Sequence, residues 1–181
     1  MIYMFLAEGF EETEALAPLD LLRRASLEVT TVGVGGKTVM GAHGIPVMAD
    51  ITDEELMLES CPIDAVILPG GMPGTLNLDS SAKVHAAIDM AVDSGALIAA
   101  ICAAPMIIGK KGLLRGREAI CYPGFENHLI GAGLSESKVV RDGRFVTAKG
   151  MGVAVEFGLA LVAALKDQAS ADSIRTAIMA D

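Results

Sequence analysis

The sequence has no tryptophan, few aromatic residues (4%), only three cysteines and three histidines, and a shortage of positive charge: 14 Lys and Arg against 23 Asp and Glu. Each shortage excludes something. Cys61, Cys102 and Cys121 cannot all pair with one another, and none lies in a Cys-x-x-Cys or Cys/His zinc spacing, so a disulfide framework and a zinc site are both set aside. The net charge of -9 repels phosphate backbones, which disfavours nucleic acid as a partner. No apolar run reaches the roughly 18 residues needed to cross a bilayer. The longest, Ala96 to Gly109, contains Pro105 and ends at Lys110 and Lys111. Residues 1 to 7 are apolar but lack a basic flank and a cleavage site, and Glu8, Glu11 and Glu12 follow. A soluble, cytoplasmic protein with no membrane partner is expected.

What is present is a hydrophobic chain, 52% apolar over 181 residues, the size of one α/β domain spanning 1–181. Short apolar runs alternate with helical patterns. Strands are expected at Met1 to Ala7, Val29 to Val34, Asp64 to Leu68 and Leu97 to Ile101. Helices are expected at Glu11 to Ala25, with Leu16, Leu19, Leu22 and Arg23 on successive turns, at Ala82 to Val92 capped by Ser80 or Ser81, and from Ala103 onward. Glycines 35, 36, 41 and 44 punctuate a small hairpin. A short strand at Glu118 to Cys121, a hairpin around Asp142-Gly143 and helices at Val153 to Lys166 and Ser170 to Met179 complete the pattern. Strands apolar on both faces and separated by helices imply a parallel sheet covered on both sides.

The segment Gly33-Val-Gly-Gly-Lys-Thr38 fits neither a phosphate loop, which needs glycine where Thr31 stands, nor a dinucleotide fingerprint, whose third glycine falls on Thr38. It reads as the turn entering the hairpin. Ala96 to Pro105 is different, because a buried strand runs straight into Cys102 and a helix begins just after it. A nucleophile at such an elbow needs small neighbours, and Ala99, Ala100, Ala103 and Ala104 supply them. The helix end is expected to lower the thiol pKa. Pro69-Gly-Gly71 ends another strand at the same edge of the sheet, where a backbone N–H of the paired glycines, with that of Ala103, is expected to complete an oxyanion hole over Cys102. Glu11 and Glu12 read as charges complementing a helix dipole. Glu14, one turn further in, faces the crevice as a protonated carboxyl donating to the sulfur. The alternative for Cys102 is an inert core thiol.

At these residues the sequence resembles the DJ-1/PfpI (ThiJ/PfpI) superfamily, most of all its DJ-1-like branch. The stretches that carry the resemblance are Gly9-Phe-Glu-Glu-Thr-Glu14, Asp20-Leu-Leu-Arg-Arg-Ala25, Leu68-Pro-Gly-Gly71, Ala99-Ala-Ile-Cys-Ala-Ala-Pro105 and Val155-Glu-Phe-Gly-Leu-Ala-Leu-Val162. The resemblance implies a flavodoxin-like three-layer sandwich and a homodimer. It also implies an oxidisable nucleophile at Cys102, a partner carboxyl at Glu14 and an oxyanion hole from Gly71 and Ala103. Protease and amidase members place a histidine directly after the cysteine, where this chain has Ala103. Some glyoxalase members have one where Tyr122 stands. Gly70, Cys121 and Tyr122 are pocket candidates, Cys61 is a loop thiol, His128 reads as a surface histidine, and His43 and His85 have no evident role.

Three functions are compatible with these residues. The first is a cofactor-independent and metal-independent enzyme for reactive carbonyls, of glyoxalase III or protein deglycase type, acting on methylglyoxal or glycated side chains. The second is a redox sensor or oxidative-stress chaperone without turnover. The third, a cysteine protease or amidase, lacks the adjacent base.

Overall fold

Strand β1 (Ile2–Ala7) is buried along its whole length, and it is apolar on both faces because both faces are covered. The computed structural model describes residues 1–180. After β1 come helix α1 (Glu12–Arg24), β2 (Val29–Val34), the hairpin β3 (Thr38–Met40) and β4 (Pro46–Met48), β5 (Ile51–Thr52) and β6 (Ala65–Leu68). Helices α2 (Gly74–Ser80) and α3 (Ala82–Ser94), strand β7 (Leu97–Ile101) and helix α4 (Pro105–Lys110) follow. The chain then forms β8 (Glu118–Ala119), β9 (Gly133–Leu134), β10 (Val139–Asp142), β11 (Phe145–Ala148), α5 (Ala154–Leu165) and α6 (Gln168–Ala177).

Seven strands form the main sheet in the order β10-β11-β7-β6-β1-β2-β5. All neighbours are parallel except the edge pair β10–β11. The alternation of β1 divides the core. Ile2, Met4 and Leu6 pack with α1, α5 and α6, while Tyr3, Phe5 and Ala7 pack with α3 and α4. Each such aliphatic or aromatic side chain contributes about 1.5–3 kcal/mol on burial. The fold is therefore the flavodoxin-like α/β sandwich expected. Because β2 and β6 leave β1 in opposite directions, the order reverses between β1 and β6, and a crevice opens outside the carboxyl ends of those strands. Among the described residues no helix is long and apolar enough to cross a membrane.

The structure departs from the sequence expectations in a few places. Helix α2 was not expected, since Gly74, Thr75, Asn77 and Asp79 are weak helix formers. It is held by burial of Leu78 and by the Thr75 N–H bond to the Gly71 carbonyl at 2.8 Å. Of the two expected caps for α3, Ser81 is the one that accepts, from the Val84 N–H. Helix α4 begins at Pro105 rather than Ala103, with a turn between Cys102 and the helix. Leu16 stands 36% exposed, and Leu19, Leu21 and Leu22 form the buried face of α1. Strand β8 ends before Cys121.

The largest correction concerns Glu12, which is no solvated dipole charge. It is buried, and its Oε1 accepts the N–H groups of His43 (2.8 Å) and Ile45 (3.4 Å), while Oε2 lies 2.9 Å from His43 Nδ1. Burial alone would raise this carboxyl, but the His43 side chain and the surrounding N–H donors outweigh it and hold the pKa down at about 2. His43 thus has a role after all. With the Gly9 N–H on the Met40 carbonyl and the Ala42 N–H on the Phe10 carbonyl, both at 2.8 Å, Glu12 clasps the hairpin onto the start of α1. Glu12→Ala should cost about 1–3 kcal/mol, because it strands buried N–H donors. A shift of the urea midpoint together with loss of hydrogen-exchange protection at His43 and Ile45 is expected. Unchanged protection at those amides would contradict the clasp.

Candidate active site

Cys102 leaves β7 with φ +64°, a left-handed backbone that non-glycine residues rarely adopt and that costs about 1–3 kcal/mol. Two hydrogen bonds hold it there. The Cys102 N–H donates to the Ala148 carbonyl at the end of β11 (2.9 Å), and its own carbonyl accepts the Tyr122 N–H (2.7 Å). The strain turns the side chain out of the strand path into the crevice, where the N–H groups of Gly71 and Ala103 point at the sulfur. The elbow and both expected oxyanion donors are brought together.

Glu14 reaches the same point from α1. Glu11 caps the helix by accepting the Glu14 N–H at 2.7 Å, which sets the register that turns Glu14 inward. Only 1% exposed, the Glu14 carboxyl accepts the Gly70 N–H at 2.9 Å and is also bonded to the Cys102 thiol and the Met151 N–H. Gly70 is required by this packing. A Cβ there would lie 2.5 Å from Glu14 Oε2 and 2.6 Å from Cys102 Cβ. The Met151 donor was missed in the sequence, although Gly150-Met-Gly152 shows the same signal as Pro69-Gly-Gly71, glycines directly after a strand.

Protonation corrects one expectation. Burial, then the charge and hydrogen bond of Glu14, push the Cys102 thiol up to about 12, although the Gly71 and Ala103 N–H groups pull it back. Burial likewise raises Glu14 to about 7, with the Cys102 thiol working against it and the Glu11 charge with it. The thiol is not lowered on its own; the short α4 with its intervening turn does not offset desolvation. Instead the pair gains one negative charge near pH 7 and resists a second until about pH 12. A thiolate exists here when the proton of the sulfur resides on Glu14, which then donates to it.

The other candidates separate. Tyr122 is bound to the elbow through its backbone, with its ring 3.3 Å from where a Gly150 Cβ would stand. Cys121 does not line the crevice: it is buried in the core beside α4, and burial followed by the Glu126 charge raises its thiol to about 11. Cys61 is exposed. His128 lies in the turn packed on α4, its carbonyl against Gly109 and its ring 6.4 Å from Phe125, and no histidine is among the groups that bond or charge the pair. Among the described residues, one cluster has metal-ligand chemistry, Glu11, Glu12 and His43, with ligand atoms within 4.8 Å of one another. Its carboxylates already cap α1 and clasp the hairpin.

A sequence model of the DJ-1/PfpI family matches residues 1–164. This chain belongs to the DJ-1/PfpI family. It is 34% identical over 159 residues to the protein dj-1beta of Drosophila melanogaster, covering 86% of this chain and 84% of that one. It is 35% identical over 153 residues to a protein of Pyrococcus horikoshii named a deglycase, covering 82% and 90%. The solved structure of oxidized DJ-1 from Toxoplasma gondii matches with a TM-score of 0.93 at 32% identity, over 98% of this chain and 97% of that one. Helix α6 lies beyond the matched segment of the DJ-1/PfpI family.

The raised Glu14 carboxyl has a consequence for stability. A group whose folded pKa is raised from 4.5 to about 7 contributes fully below the unfolded value and loses that contribution as pH rises through the folded one. Glu14→Gln cannot ionise, so it should melt above the wild type at pH 8 by up to about 3 kcal/mol, the difference shrinking towards pH 5. Equal melting temperatures at pH 8 would show that Glu14 carries no desolvation cost.

Proposed function

We propose that this protein is a DJ-1-like, cysteine-dependent enzyme for small reactive carbonyls, of glyoxalase III or protein deglycase type. It works as a cytoplasmic homodimer without metal or organic cofactor. The observation that carries the reading is the Cys102–Glu14 pair sharing one proton beneath the Gly71 and Ala103 N–H groups. The relative named a deglycase supports the same class.

With methylglyoxal, the thiol proton passes to Glu14 as the sulfur attacks the aldehyde carbon, and the developing oxyanion is held by the two N–H groups. Protonation of that oxygen gives a hemithioacetal and returns Glu14 to the carboxylate. Glu14 then removes the proton from the former aldehyde carbon and delivers it to the adjacent carbon through an enediolate, while the hemithioacetal hydroxyl passes its proton to the former ketone oxygen, leaving a 2-hydroxy thioester and the Glu14 carboxylate. Water attacks the thioester, lactate leaves, and the thiol is restored. The net reaction adds one water and requires no external oxidant or reductant. Exposed Leu16, Ile45 and Met48 on α1 and the hairpin offer an apolar face for the second copy.

Steady-state lactate formation from methylglyoxal is the test. Cys102→Ser should abolish it, and Glu14→Leu should lower kcat by about 10²–10⁴-fold. Lactate formation that persists in Cys102→Ser would remove the cysteine from the reaction.

A redox-sensing role is the second reading, favoured by the partial exposure of Cys102 and by the oxidized form of the Toxoplasma relative. The same donors would hold a sulfinate. Although burial raises the Cys102 thiol, Glu14 can take its proton and the Gly71 and Ala103 N–H groups stabilise the resulting thiolate, a route Cys61 and Cys121 lack, so mass spectrometry under mild peroxide should find Cys102 oxidised before either. Oxidation confined to Cys61 would count against it. A protease or amidase reading draws no support, because no imidazole is bonded to the pair.

A further inference from the structure

Beside the crevice lies a groove of about 570 Å³ whose apolar walls are Tyr122, Pro123, Met151 and Val153, with Lys138 and Lys149 at its edge. Its size and lining suit a small molecule, mostly apolar with a few polar groups to orient the ligand. The two lysines are neighbours, the Lys149 N–H donating to the Lys138 carbonyl at 3.0 Å. Four other lysines are engaged: Lys110 pairs with Asp79 at 2.7 Å, Lys111 with Asp89 at 2.8 Å, and Lys83 and Lys166 bond backbone carbonyls, while Lys37 stands apart from the groove on the β3 side of the molecule. Among the described residues neither Lys138 nor Lys149 has a carboxylate partner, and no acidic residue lines the groove. On a chain of net charge -9, two lysines without carboxylate partners concentrate positive charge on an apolar groove.

The groove and the pair share a wall. A Cβ on Gly150 would lie 3.3 Å from Tyr122 Cδ2, which lines the groove, and 4.0 Å from Glu14 Oε1, and the backbone N–H of Met151, which also lines the groove, acts on Glu14. From this juxtaposition we propose that the groove is an anion-selective substrate subsite. It takes reactive carbonyl compounds that carry an apolar body and a carboxylate, the carboxylate at Lys138 and Lys149 and the carbonyl directed across Gly150 to Cys102. The proposal rests on the carbonyl reading of the site, from which it names the substrate class. Uncharged carbonyls use the crevice without this anchor.

Binding and turnover test it separately. In Cys102→Ser, 4-acetylbenzoate, which has a carboxylate opposite a ketone and cannot be turned over there, should shift the backbone amides of Tyr122 and of residues 149 to 153 saturably. Acetophenone should do so more weakly. Lys138→Gln and Lys149→Gln, both exposed positions, should each weaken 4-acetylbenzoate by about two- to fivefold, and added salt should act in the same direction. In the Cys102 protein, kcat/KM for 4-carboxyphenylglyoxal should exceed that for phenylglyoxal, and the ratio should fall towards one in the double lysine variant. Lysine-dependent binding of 4-acetylbenzoate without turnover of either glyoxal would sustain the subsite and sink the carbonyl chemistry. Turnover of both glyoxals with a ratio that ignores the lysines, or shifts confined to other residues, would overturn the subsite and leave the chemistry standing.

Discussion

Everything at the mouth of the sheet depends on the close approach of Glu14 and Cys102 to a single residue without a side chain. Gly70 ends the β6 turn so tightly that a methyl group there would collide with both the carboxyl and the cysteine Cβ. Its N–H holds one Glu14 oxygen, and its carbonyl accepts the Glu11 N–H at 2.9 Å, so one residue ties the start of α1 to the end of β6. The elbow at Cys102 then has one place to put its sulfur. The left-handed backbone is tolerated because the Ala148 carbonyl and the Tyr122 N–H grip it from two other segments.

Confinement is also what couples the two protons. In water a thiol and a carboxylic acid titrate independently; buried together, a second negative charge is opposed by desolvation and by the first. The carboxyl rises and the thiol rises with it, so the pair behaves as one acid with a mobile proton rather than as a thiolate activated by a helix. Backbone N–H groups at the sulfur bias that proton towards Glu14.

Three carboxylates within four residues have taken three different jobs. Glu11 caps α1, Glu12 clasps the hairpin, and Glu14 faces the sulfur. Their pKa values separate according to partners: N–H donors and His43 hold Glu12 near 2, while burial beside Cys102 lifts Glu14 to about 7. The same economy of local chemistry is seen at Gly150, which lies close both to the Glu14 carboxyl and to a lysine-edged groove.

The amino-acid order by itself determined the layered α/β class, the elbow at Cys102 and the choice of Glu14, because hydrophobic period, small residues around a strand-end cysteine and glycines after a strand are local signals. Helix α2 lay outside that reach, since weak helix formers become helical through the burial of Leu78 and the Thr75 N–H bond back to Gly71. The role of Glu12 lay outside it too, because its partners His43 and Ile45 are about thirty residues away and meet it through the hairpin. Cys121 is next to Tyr122 in the sequence, yet past the end of β8 the backbone buries the Cys121 side chain in the core and leaves Tyr122 half exposed, a division that no strand period announces. The direction of the Cys102 pKa shift was decided only by tertiary structure. A helix end can be read from residue order, but the desolvation and facing charge that outweigh it arise from chain segments that folding alone brings within a few ångströms.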